Sequence, residues 1–118
     1  MGYLTTHILD TTKGIAAAEV EIQLFKYTQD GQKVFICSTQ SNDDGRCDSP
    51  LLAEDDFKSG IYELEFAIDK YFAKQGAIVD EPGFLNTVVI RFGINDESSH
   101  YHIPLLVSPY SYSTYRGS

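Results

Sequence analysis

The sequence predicts an all-β fold, a β-sandwich of about eight strands with one short helix. Three observations carry this. Short runs of alternating apolar and polar residues recur from end to end, and successive side chains of a strand face opposite ways. Clusters of Asp, Asn, Gly and Thr break these runs at regular spacing. Only one stretch, after residue 68, carries helix-end signals.

Tyr3 to Asp10 reads as the first strand, with Leu4, Thr6 and Ile8 on one face and Thr5, His7 and Leu9 on the other. Asp10-Thr11-Thr12-Lys13-Gly14 is a turn cluster. Val20 to Phe25 alternates as a strand with one wet face. Asp30-Gly31 signals a hairpin, since both residues tolerate positive φ, and Val34 to Thr39 is the returning strand. Asn42 to Gly45 breaks the chain. Arg46 to Leu52 then runs extended, with Pro50 marking an edge or irregular strand. Glu54 to Gly60 is a polar loop, and Ile61 to Ile68 resumes β alternation.

Asp69 is placed to cap a short helix from Lys70 to Gln75, closed by Gly76. A loop over 77–83 follows, then a long β run from Leu85 to Ile94. Asn95 to Ser99 turns into a final pair of strands divided by Ser108-Pro109. In the first of that pair, Tyr101, Ile103, Leu105 and Val107 share the apolar face. His100, His102, Pro104 and Leu106 share the other, an unusual mixture for a wet face. It reads as the wall of a site or an interface.

With 118 residues the chain is long enough for one domain, 1–118, with a real core. Nine Lys and Arg against 17 Asp and Glu leave a net charge of -8. That opposes a nucleic-acid or anionic-membrane partner, both of which call for a basic face. An anionic small molecule would need a locally placed Arg to overcome the global field. No apolar run is long enough to span a bilayer or to act as a signal peptide, so a cytoplasmic address with Cys37 and Cys47 reduced is the expectation.

The candidates for chemistry are few. His7 and His102 both fall on outward faces, each with a Leu for company, and an imidazole near neutrality is the usual proton-transfer group. His100-x-His102 with His7 also raises a three-His zinc site, but no carboxylate or thiolate follows at ligand spacing, so no metal is expected. Arg46 either pairs with a neighbouring Asp in solvent or serves as an anion clamp through its planar fork. Cys47 adjoins that cation, yet Asp44 and Asp48 disfavour a thiolate.

Leu4-Thr5-Thr6-His7-Ile8-Leu9-Asp10, Asp44-Gly45-Arg46, His102 to Pro109 and the terminal Tyr115-Arg116-Gly117-Ser118 together resemble the transthyretin-related hydrolases, the 5-hydroxyisourate hydrolases of urate breakdown. The resemblance implies a transthyretin-like β-sandwich and a homotetramer, a dimer of dimers around a channel. It implies sites where subunits meet, built from His7, Arg46, His102, Tyr115, Arg116, Gly117 and Ser118. His7, Arg46, His102 and Ser118 would be catalytic. The same residues apart from Ser118, with Tyr115, Arg116 and Gly117, would bind substrate, with no cofactor. The hormone carrier transthyretin shares Ser-Pro-Tyr-Ser-Tyr-Ser-Thr but lacks both histidines and the final tetrapeptide, so the resemblance favours an enzyme over a small-ligand carrier.

Overall fold

The computed structural model describes residues 2–77 and 80–117 and is built from two facing β-sheets. The strands are β1 (Tyr3–Asp10), β2 (Ile15–Ala16), β3 (Glu21–Tyr27), β4 (Lys33–Gln40), β5 (Leu52–Ala53), β6 (Gly60–Phe66), β7 (Val88–Ile94), β8 (Tyr101–Val107) and β9 (Tyr112–Thr114). Among the described residues there is one α-helix, α1, spanning Ile68–Lys74. One sheet runs β2-β1-β8-β9, with β5 also on β1, and the other runs β4-β3-β6-β7. The expected all-β sandwich with one short helix is the observed architecture of the described residues.

The inward faces meet in one core. Leu4 and Ile8 of β1, Ile22 and Leu24 of β3, Leu64 and Phe66 of β6 and Leu105 of β8 are fully buried. These are the alternate positions of the period-2 pattern, so burial of one face per strand is what holds the two sheets together. β1 and β8 pair in parallel, with Thr5 opposite His102 and His7 opposite Pro104. Residues from opposite ends of the chain thereby share one face.

Several elements differ from the sequence reading. The helix begins at Ile68, and its N-cap is Ala67 without a side-chain cap bond, so Asp69 lies in the first turn instead of capping it. Burial of Ile68, Tyr71 and Phe72 in the core outweighs the missing cap. Between Leu85 and Ile94 only Val88–Ile94 is strand. Glu54–Asp56 forms a 3-10 turn, and the extended segment after Arg46 forms only the short β5, as the proline allows. Pro104, expected on the outer face, is buried.

Two buried acids are fully partnered. Asp10 accepts bonds from the Tyr71 hydroxyl at 2.8 Å and the Thr12 amide at 2.9 Å, tying β1 to α1. Glu63 lies between Tyr27, Arg91 and Lys33, at 2.9, 3.4 and 2.8 Å. Burial alone would raise the Glu63 carboxyl, but its hydrogen bonds and the Lys33 charge hold it at about 2, below the ordinary 4.5. A depressed carboxylate stabilises the fold above its unfolded value, and that stability is lost as the pH falls. Calorimetric melting temperatures should therefore decline from pH 4.5 toward pH 2, and Glu63→Gln should flatten that decline.

Candidate functional site

The outer edge of β1 is covered by three short pieces. β2 pairs with Leu9 and Asp10, β5 pairs with Tyr3 and Leu4, and between them Arg46 bridges His7. The Asn42 to Gly45 turn sets Arg46 there. Asn42 Oδ1 accepts the amides of Asp44 at 2.9 Å and Arg46 at 3.2 Å, and Ile8 N donates to Gly45 O at 2.8 Å. Gly45 has φ +75°, and a Cβ on it would fall 2.5 Å from Ile8 O. Only glycine lets this turn lie flat on β1, which explains the residue preceding Arg46.

Beside this edge is an open cleft of about 510 Å³, lined among others by Tyr3, Thr5, Arg46, His100, His102 and Gly117. Tyr115 and Cys47 also line it. Of the residues that the resemblance singled out, Arg46, His102, Tyr115 and Gly117 line this one cleft. His7 is placed on the same face and opposite Arg46, but its side chain is not part of the cleft wall of the single chain. Arg116 turns the other way, with Cζ 4.0 Å from the Tyr101 ring centre. Ser118 lies outside the described residues.

His102 is held from two sides. Its Nδ1 is 2.8 Å from Thr5 Oγ1, and its carbonyl accepts the Gly117 amide at 2.7 Å. The Gly117 backbone lies so close that a Cβ there would be 2.6 Å from the His102 Cδ2. Both His102 and His7 titrate below the ordinary imidazole value of 6.5, first because of burial and then because of the Arg46 charge. His7 contributes a further lowering at His102. At neutral pH both rings are uncharged and able to accept a proton. Cys47 is pushed up to about 11 by burial, then by Cys37 and Asp48, so its thiol is a poor nucleophile. Both cysteines are free, and among the described residues no group of three His, Cys, Asp or Glu is arranged to hold a metal.

Sequence reasoning missed Thr5 and Tyr3, whereas His100 does stand on the wall of the cleft, as the face it shares with His102 suggested. Thr5 carried a usable signal, since it shares a face with His7 and a parallel neighbour would put it beside His102. Tyr3 and His100 stack with ring centres 3.8 Å apart and form one wall of the cleft.

A β-sandwich that sets the neutral His102 imidazole beside the Arg46 guanidinium in an open cleft defines a class of small protein with a proton acceptor next to an anion-binding cation. The profile of the HIUase/Transthyretin family matches residues 4–117, and the chain belongs to that family. A relative from Pseudomonas aeruginosa, named 5-hydroxyisourate hydrolase, is 49% identical over all of this chain and 93% of its own. The solved 5-hydroxyisourate hydrolase of Klebsiella pneumoniae is 30% identical, covers 100% of both chains and superposes with a TM-score of 0.82. Sea bream transthyretin in complex with thyroxine is also 30% identical, over 97% of this chain and 93% of its own, with a TM-score of 0.87. The expectation of a hydrolase of this family is met: several relatives carry that name. Among the described residues no helix is long and apolar enough to cross a membrane.

Proposed function

We propose that this protein hydrolyses 5-hydroxyisourate to 2-oxo-4-hydroxy-4-carboxy-5-ureidoimidazoline. The observation that carries the reading is the meeting of His102, Arg46 and the Gly117 segment in one cleft. Hydrolysis of a cyclic acyl C–N bond needs an activated water, a stabilised oxyanion and a protonated leaving nitrogen. His102 takes the proton as the water oxygen adds to the acyl carbon. The reaction uses the tautomer whose Nδ1–H donates to Thr5 Oγ1, which leaves Nε2 as the basic nitrogen. Arg46 binds the anionic ring and the developing oxyanion. The C–N bond then breaks, and the imidazolium returns its proton to the departing nitrogen. His7 lies opposite Arg46 and supports the water or the guanidinium. Tyr115, Gly117 and Ser118 complete the pocket, Arg116 lies on the far side of that segment, and no cofactor enters the reaction.

The assembly that fits is a homotetramer in the cytoplasm, with the outer β1/β8 face covered by another subunit; neither nucleic acid nor membrane is a partner. The half-buried Leu9 and Leu106 on that face support it. Fresh 5-hydroxyisourate, followed by its ultraviolet absorbance, should decay faster with the protein than without it. Spontaneous decay alone would overturn the reading. Protection or binding without turnover would instead support a carrier, the reading that the likeness to a thyroxine-bound transthyretin favours.

A further inference from the structure

We infer that Arg116 is a positioning residue, a latch that keeps Gly117 seated against His102. The C-terminal segment follows one register along β8, with Leu105 opposite Thr114 and His102 opposite Gly117. Between those points the ladder lapses. In that register Pro104 falls opposite Tyr115, at a position where antiparallel partners exchange both hydrogen bonds. Proline has no N–H to give. Its carbonyl is taken at 2.7 Å by the Thr114 hydroxyl. Among the described residues, no backbone hydrogen bond holds Tyr115 or Arg116 before Gly117 N reaches His102 O.

Something else must hold the strand end, and Arg116 is placed to do so. Alternation sends Tyr115 and Gly117 to the cleft face and Arg116 to the opposite one. There its guanidinium lies over the Tyr101 ring, with Cζ 4.0 Å from the centre, and Nη2 donates to the His100 carbonyl at 3.4 Å. The Tyr101 ring is a fixed anvil. It is 4% exposed, and its hydroxyl donates to Asn95 Oδ1 at 2.6 Å and accepts the Asn95 amide at 3.0 Å. A cation over a ring and a charged hydrogen bond thereby bridge the gap that Pro104 leaves. Gly117 in turn closes one side of the His102 ring. The latch is a statement about the segment itself; only its kinetic consequence rests on the proposed hydrolysis.

The test uses Arg116→Met, which keeps an unbranched stem without the charge, and Arg116→Lys, which keeps a cation over the ring. Amide exchange of Gly117 and the imidazole nitrogen resonances of His102 are followed by NMR, with kcat and KM for 5-hydroxyisourate alongside. Arg116→Met should speed Gly117 exchange about tenfold and move the His102 resonances. It should lower kcat by roughly fivefold or more, with KM changed less than about twofold, the signature of a misplaced base. Arg116→Lys should recover much of each effect. Unchanged Gly117 exchange and His102 resonances in Arg116→Met would overturn the latch. So would a loss confined to KM with those signals unmoved, since the guanidinium would then touch substrate directly. If the wild-type protein shows no turnover but the exchange effect is present, the latch stands and the hydrolase reading falls.

Discussion

His102→Asn should lower kcat on 5-hydroxyisourate by about 10³-fold while the melting temperature and assembly stay close to wild type. Asparagine fills similar space and can still meet Thr5 Oγ1, which lies 2.8 Å from the native Nδ1. It has no basic nitrogen, so the proton of the attacking water has nowhere to go. An unchanged rate would remove His102 from the chemistry. The pH profile gives an independent reading. Burial and the Arg46 charge hold His102 below 6.5, so the neutral base persists until the medium is more acidic than that, and kcat/KM should fall only on that acid side. Arg46→Gln removes one depressing charge and should move the acid limb to higher pH. Its rate should also fall by roughly 10²-fold from the lost oxyanion donor.

Gly117→Ala should cost roughly 10²-fold in kcat, although it adds a single methyl group at a half-buried site. The added Cβ would lie 2.6 Å from His102 Cδ2. The ring cannot simply retreat, because Thr5 fixes its far side and the strand fixes its root. Either the imidazole rotates off its bond to Thr5 or the end of the chain lifts away. Both outcomes displace the base, and steady-state kinetics with a thermal melt would separate this from unfolding. Wild-type turnover in this variant would show that the Gly117 contact is incidental to the reaction.

Much of this was legible in the residues because β alternation assigns each side chain to a face without reference to its neighbours. Leu4 and Ile8 inward, Thr5 and His7 outward, and the split of Tyr101 from His102 all followed from period 2. Depth was not legible. Pro104 and His102 share a face, yet one is buried and the other half-buried, because depth depends on what strand lies alongside. The helix start was missed because Ile68 is recruited by the core, a tertiary effect that Asp69 as a cap could not reveal. The direction of Arg116 was available in principle. Its neighbours Tyr115 and Gly117 face the cleft, and alternation alone sends the residue between them away. The bond from Thr5 to His102 required the parallel pairing of β1 with β8, which local patterns do not encode.

That pairing has a kinetic consequence. Thr5 and His102 stand 97 positions apart, so closing the loop between them costs considerable chain entropy before any contact rewards it. The two central strands should therefore dock late, after the local hairpin of β3 and β4 has formed. Refolding followed by fluorescence and by recovered turnover should share that last slow phase, with no active species preceding it.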